Sequence, residues 1–189
     1  IDGNNKNFAS GVIYSENFDI SCKNVKFSEI NNTSETLGGA VSFNKNEDSK
    51  DYNISLEYCE FTSCSSNLNG GAVSISNDAV EDHSKNIIVN IKNCKFSSNS
   101  SIDANAAGGA ISLKGKEICS TIENCTFEEN KANNGGGALY MYGTSVDGTT
   151  DEAVRKCTIK NSSFVNNTGN DNGDGIYLNR GTINLDTVT

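Results

Sequence analysis

One six-residue pattern occurs five times in this chain. Gly38-Gly39-Ala40-Val41-Ser42-Phe43 returns as Gly70-Gly71-Ala72-Val73-Ser74-Ile75, Gly108-Gly109-Ala110-Ile111-Ser112-Leu113, Gly136-Gly137-Ala138-Leu139-Tyr140-Met141 and, degraded, Gly173-Asp174-Gly175-Ile176-Tyr177-Leu178. A shorter echo, Ser10-Gly11-Val12-Ile13-Tyr14, lies upstream. The spacings of 32, 38, 28 and 37 residues fall where self-similarity means a solenoid, propeller or array. Their inequality means that the loops of the unit vary while its core does not.

A second block precedes each Gly pair. It reads Cys22-Lys23-Asn24-Val25-Lys26-Phe27, Leu56-Glu57-Tyr58-Cys59-Glu60-Phe61, Ile91-Lys92-Asn93-Cys94-Lys95-Phe96, Ile122-Glu123-Asn124-Cys125-Thr126-Phe127 and Ile159-Lys160-Asn161-Ser162-Ser163-Phe164. The residues two places upstream, Ile20, Ile54, Val89, Ser120 and Cys157, extend most copies as the period-two alternation of a half-buried strand. The alternation slips by one at the Asn column. Asn tolerates left-handed backbone, so Asn24, Asn93, Asn124 and Asn161 are expected as corners. Three residues beyond Phe stand Asn99, Asn130 and Asn167, with Ile30 and Cys64 in the earlier copies. A buried Asn column requires amides that bond to one another or to corner backbone.

The pairs Gly38-Gly39, Gly70-Gly71, Gly108-Gly109 and Gly136-Gly137 mark the next corner, since residues without Cβ admit positive φ and close approach of one turn to the next. Two apolar columns follow, Val41, Val73, Ile111, Leu139, Ile176 and Phe43, Ile75, Leu113, Met141, Leu178. The unequal, mostly polar segments come next in every copy and are expected to leave one edge of the stack. These features predict an all-β, right-handed parallel β-helix of five to six coils, with three short strands per coil, forming a single array over residues 1–189. The ladder residues are Phe27, Phe61, Phe96, Phe127 and Phe164 with Cys59, Cys94 and Cys125, each stacked on its like about 4.8 Å away. Ile183 to Val188 starts another copy, which predicts a longer array, with neighbouring coils or other protein subunits at the ends.

Charge narrows the partners. A net charge of −9, from 15 basic and 24 acidic residues, repels phosphate backbones and anionic lipid, so nucleic acid is not an expected partner. No apolar run approaches the length of a membrane span, which argues against direct insertion, and the first residues lack the order of a signal peptide. Ile1-Asp2-Gly3 reads as a start in mid-architecture.

The paired motifs Gly-Gly-Ala-[Ile/Leu/Val] and Phe-x-x-Asn resemble the repeats of the polymorphic outer membrane protein family, known from chlamydial autotransporter adhesins and from large surface proteins of some protists. They are carried by Phe96-Ser97-Ser98-Asn99 with Gly108-Gly109-Ala110-Ile111 and by Phe127-Glu128-Glu129-Asn130 with Gly136-Gly137-Ala138-Leu139. The likeness runs from about Ser10 to Leu178; Phe27-Ser28-Glu29-Ile30, Phe61-Thr62-Ser63-Cys64 and Gly173-Asp174-Gly175 depart from it, and no autotransporter barrel is present in these residues. It implies an extracellular or cell-surface, non-enzymatic, adhesin-like or structural β-helix whose loops meet a partner.

Sites of chemistry are sparse. No Gly pair has the Gly-x-x-x-x-Gly-Lys-[Ser/Thr] order of a phosphate cradle, and no cofactor is expected. Asn170, Asn172 and Asp174 half-match a calcium loop, which lacks its closing Glu because Gly181 stands there. The inward Cys column reads as packing; Cys119 alone has outward parity and is the candidate reactive or intermolecular thiol. Asp171, Asp174 and Arg180 are the only cluster suited to a carbohydrate-active β-helix enzyme, the alternative reading, and the lone His83 has no nucleophile at useful spacing. Tyr140 and Tyr177, outward on adjacent coils, are the candidate contacts for a glycan or protein partner. Asn31, Asn32, Asn53, Asn99, Asn124, Asn161 and Asn166 lie in Asn-x-Ser/Thr sequons, which would make the chain a glycoprotein in a secretory pathway.

Overall fold

A computed structural model describes residues 1–33, 38–47, 50–77, 85–143 and 156–189. The chain opens with β1 (Asn7–Phe8) and β2 (Ile13–Glu16). Four coils follow: β3 (Ile20–Lys23), β4 (Lys26–Ser28), β5 (Asn31–Asn32), β6 (Val41–Asn44); β7 (Tyr52–Glu57), β8 (Glu60–Thr62), β9 (Ser65–Ser66), β10 (Val73–Ser76); β11 (Ile87–Lys92), β12 (Lys95–Ser97), β13 (Ser100–Ser101), β14 (Ile111–Lys114); β15 (Ile118–Glu123), β16 (Thr126–Glu128), β17 (Lys131–Ala132), β18 (Leu139–Tyr142). A fifth coil runs its first two strands together as β19 (Lys156–Val165) before β20 (Thr168–Gly169) and β21 (Ile176–Asn179); β22 (Thr182–Val188) begins a sixth. Four turns are therefore complete with separate strands, against the five to six coils expected.

All paired strands are parallel, each to its equivalent one coil away, as the repeat requires. A narrow sheet orders β1-β5-β9-β13-β17-β20, and a second, entered through the Gly pairs, orders β2-β6-β10-β14-β18-β21. The third is a ten-stranded sheet with a wide wing, β3-β7-β11-β15-β19-β22, and a Phe wing, β4-β8-β12-β16-β19, joined where β19 runs through.

Each coil thus holds four strands where the sequence predicts three. The extra corner follows the Phe column, where Glu29, Ser63, Ser98, Glu129 and Asn166 have φ between 53° and 56°. Only one of these is an Asn, so the bend carries no residue signature and rests on the bonds on either side of it. The corner before the Phe column is the expected one: Asn24, Asn93, Asn124 and Asn161 have φ of 57°, 54°, 53° and 46°, with Tyr58 at 54° in their place in the second coil.

Both glycines of a pair are needed, for different reasons. Gly108 has φ 72°, whereas a Cβ on Gly109 would lie 2.2 Å from the Gly137 carbonyl oxygen and 2.5 Å from that of Lys131. The first supplies a conformation that β-branched residues avoid and the second lets adjacent coils touch through backbone alone. The same division holds in the next coil, between Gly136 and Gly137.

The core is a set of columns. Phe27, Phe61, Phe96, Phe127 and Phe164 stack with centroids 4.6–4.9 Å apart and interplanar angles of 2–8°. Each buried Phe contributes about 1.5–3 kcal/mol by leaving water, and ring-on-ring contact adds about 0.5–1.5 kcal/mol per pair. Beside them Asn99, Asn130 and Asn167 form the amide ladder that burial demands. The Asn99 Nδ2 donates to Asn130 Oδ1 at 2.9 Å and to the Phe61 carbonyl at 3.0 Å; Asn130 repeats this to Asn167 and Phe96. Each Oδ1 also accepts a main-chain N–H from the coil before, so Cys64 N donates to Asn99 at 3.0 Å and Asn99 N to Asn130 at 3.0 Å.

Candidate interaction surface

The outer face of the wide wing carries a row of alternating charge. In register, Lys23 faces Glu57, Glu57 faces Lys92, Lys92 faces Glu123, Glu123 faces Lys160 and Lys160 faces Asp186. Lys23 and Glu57 meet at 2.8 Å, Lys92 and Glu123 at 3.0 Å. A neighbouring row repeats the theme with Lys26 on Glu60 at 2.9 Å, and Lys95 reaches Glu128 at 3.4 Å. Each pair is solvent-exposed and is worth at most about 1 kcal/mol. Its larger effect is on order, since like charges directly opposite across strands are destabilising. Sequence reasoning missed this row, although it is visible in the column next to the corner Asn once the copies are aligned.

Tyr140 is not the exposed contact that its parity suggests. The turns through Gly70 and Gly108 lie over the outer row of the second sheet: a Cβ at these positions would stand 3.2 Å from Ser112 Cβ and 3.0 Å from Tyr140 Cβ. Ser42, Ser74, Ser112 and Tyr140 are consequently buried on both sides of the strand. Tyr140 packs on Tyr177 at 5.6 Å and on Tyr142 at 5.9 Å between centroids. Tyr177 keeps partial exposure, and its hydroxyl accepts a bond from Asn179 Nδ2 at 3.2 Å. The pair therefore offers an edge, not two open rings.

All seven cysteines are free thiols. Cys59, Cys94 and Cys125 stack inward, with Cys59 N–H donating to Cys94 Sγ at 3.4 Å. The Cys94–Cys125 hydrogen bond pushes the Cys94 thiol up to about 12 and holds Cys125 below the ordinary value. Burial pushes Cys64 and Cys157 up to about 11. Cys119 does point outward, between Ile88 and Lys156. Its half-buried thiol is nevertheless raised by desolvation, which outweighs the opposing effect of Lys156, so it lacks the lowered pKa of an activated nucleophile.

The calcium candidates make hydrogen bonds of their own. Asp174 Oδ1 accepts the Gly169 N–H at 3.1 Å, Asn170 Nδ2 reaches Asn133 Oδ1 at 3.3 Å and Asn172 Nδ2 reaches Asn134 Oδ1 at 3.5 Å. Asp174 closes the turn on itself while the two Asn brace it against the coil before, and among the described residues no group of three or more His, Cys, Asp or Glu is placed to hold a metal. Asp174 uses one carboxylate oxygen for the Gly169 bond, and Asp171, Asp174 and Arg180 are all exposed. His83 lies outside the described residues. Of the sequon residues, Asn32 and Asn99 are buried, while Asn53, Asn124, Asn161 and Asn166 are exposed and Asn31 is half-buried. Among the described residues no helix is long and apolar enough to cross a membrane.

No curated protein and no solved structure matches the chain. A family model, the Chlamydia polymorphic membrane protein repeat, matches residues 124–141. That span begins at the corner Asn124, takes in Phe127, Asn130 and the Gly136-Gly137 turn, and ends in β18, so the match rests on residues that make the coil. The chain is a parallel β-solenoid repeat protein, and one stretch of it, residues 124–141, matches the Chlamydia polymorphic membrane protein repeat.

Proposed function

We propose that the chain is a non-enzymatic, surface-displayed adhesin-like module, a rigid solenoid that presents variable loops to a partner outside the cell. The observation that carries this reading is the placement of length variation. Residues 45–51, 77–86, 115–117 and 143–155 all connect the second sheet to the wide wing of the next coil, so the strand ends that flank them lie along one edge of the stack. The connections from the narrow sheet to the second sheet vary less, from 6 to 9 residues in the four coils, and the loops that vary most along one edge of a repeated scaffold are where binding specificity accumulates. The repeat match and the solenoid support the class of protein, and the loops are the part free to recognise something. An extracellular or cell-surface location goes with this reading, with surface glycans or proteins as the partners.

The test is adhesion of chain-coated beads to cultured epithelial cells and to a glycan array. Variants with residues 77–86 or 143–155 shortened to the length of 115–117 should keep the β-rich circular dichroism of the parent and lose binding. Binding that survives both truncations would refute the loops as the recognition element. Turnover of a polysaccharide by the parent chain would replace this reading with the enzymatic one.

A further inference from the structure

The outer face of the wide wing carries three columns of side chains. Next to the corner runs the charge row already described; the middle column holds Ser55, Asn90, Thr121 and Thr158, and the third Asn53, Ile88, Cys119 and Lys156. The cations of this face are Lys23, Lys92, Lys156 and Lys160 and its anions Glu57, Glu123 and Asp186, four against three on a chain with 15 basic and 24 acidic residues. The face is thus spared the repulsion that a net charge of −9 sets between copies elsewhere. Lys23 and Lys92 keep 59% and 45% of their side-chain surface exposed even while paired along the row, so each has room for a second anion.

A row that alternates in sign is complementary to itself when reversed. Turning a second copy about a two-fold axis that runs parallel to the strands, midway between the two faces, lays every column on its own column and reverses the order of coils. With the axis between β11 and β15, Lys92 meets Glu123 of the second copy, Glu57 meets Lys160 and Lys23 meets Asp186. The third column selects this register. It sets half-buried Ile88 on half-buried Cys119 of the second copy and leaves Lys156 on Asn53. Moving the axis onto a strand opposes like charges, and moving it to the next gap covers Ile88 with Asn53 or Cys119 with Lys156. In the middle column Asn90 meets Thr121 and Ser55 meets Thr158, side chains that both donate and accept.

We infer that the chain pairs with a second copy of itself through the outer face of the wide wing, with the two stacks antiparallel. The complementarity lies in the alternation of sign and not in the length of the row. The contact is isologous, so it closes at two copies. Because the axis runs along the strands, the strand ends that flank the variable segments lie on the same side in both copies. The pair therefore presents two sets of loops together, although the pairing itself does not depend on what the loops recognise.

Sedimentation velocity from about 1 to 200 µM at low salt tests it, and the parent should show a monomer–dimer equilibrium that weakens as salt is added. Glu57→Lys opposes Lys160 of the second copy, twice by symmetry, and Lys160→Glu opposes Glu57 in the same way. Each should weaken pairing about tenfold, with circular dichroism unchanged. The double variant restores both contacts between copies and should return the affinity of the parent. Within one chain these two side chains are three coils apart, about 14 Å at about 4.8 Å per coil. The double variant also leaves each facing like charges on its own neighbours, Lys23 and Lys92 or Glu123 and Asp186, so recovery reports a contact between copies. Ile88→Lys, outside the charge row, should weaken pairing as well by charging the apolar contact. A monomer across the whole range overturns the inference, as do single variants that pair as tightly as the parent or a double variant that pairs no more tightly than the singles.

Discussion

Replacing Asn130 by Ala removes the middle rung of the amide ladder, and its cost follows from the bonds. The Nδ2 donates to the Phe96 carbonyl at 3.0 Å and to Asn167 Oδ1 at 2.9 Å; the Oδ1 accepts from Asn99 N at 3.0 Å and Asn99 Nδ2 at 2.9 Å. Part of the network survives truncation, because Asn99 Nδ2 keeps the Phe61 carbonyl and Asn167 Oδ1 keeps the main-chain N–H of residue 130. The Asn99 N–H does not keep its acceptor and sits where water does not reach. One orphaned buried N–H costs about 1–3 kcal/mol, and the three other lost bonds add about 1 kcal/mol each, for a total of about 4–6 kcal/mol. Urea unfolding followed by circular dichroism should show the midpoint fall by about 1.3–3 M, given a slope of about 2–3 kcal/mol/M. Cys64→Ala in the same column is the comparison, since the Cys64 main-chain N–H still donates to Asn99 Oδ1 at 3.0 Å; it should cost only about 1 kcal/mol. If Asn130→Ala costs no more than Cys64→Ala, the ladder does not stabilise the column and the reasoning fails.

Phe96→Ala opens a gap between two stacked rings 4.9 Å away on either side and should cost about 3–5 kcal/mol by the same urea assay; less than about 1 kcal/mol would mean the column is not core. Gly109→Val drives a Cβ to 2.2 Å from the Gly137 carbonyl and should sharply lower protease resistance, whereas Ser112→Ala removes a buried hydroxyl that has no hydrogen-bond partner and should stay within about 0.5 kcal/mol of the parent or improve on it. Equal protease sensitivity of the two would refute the division of labour at the corner. Cys64 and Cys157 are held at about 11 against 9.0 for the free thiol, so above pH 9 the unfolded chain releases protons that the folded chain keeps; stability is fully present below pH 9 and falls as pH rises from 9 through 11. Urea midpoints across that range should fall more steeply for the parent than for Cys157→Ala, and parallel curves would contradict the assignment.

The sequence revealed what the repeat makes redundant. A Phe that returns in five copies, in most of them beside an Asn and a Gly pair, shows its column by position alone, and the structure stacks those rings in the expected order. The corner at Asn24, Asn93, Asn124 and Asn161 was legible because left-handed backbone selects a residue type. The corner at Glu29, Ser63, Ser98 and Glu129 was not, since ordinary residues are held at positive φ there by packing on both sides. Tyr140 misled for a related reason: parity tells which face of a strand a side chain leaves, but not that a neighbouring turn lies across that face. Of the surface features, the length variation was readable as spacing. The charge row stood in the aligned copies as Lys23, Glu57, Lys92, Glu123 and Lys160 and was missed there; the strand register adds Asp186 and shows the row as one line.

That row constrains how such a gene can grow or shrink. Excising the single coil that holds Lys92 would bring Glu57 against Glu123, and inserting one coil would set like against like at one of its borders. Excising or duplicating two adjacent coils restores opposite signs at every border. The hydrophobic columns accept any whole number of coils, but the electrostatic pattern has twice their period. Recombination between repeats therefore conserves the surface only in steps of two, and the melting temperature of a one-coil deletion should rise more with added salt than that of a two-coil deletion.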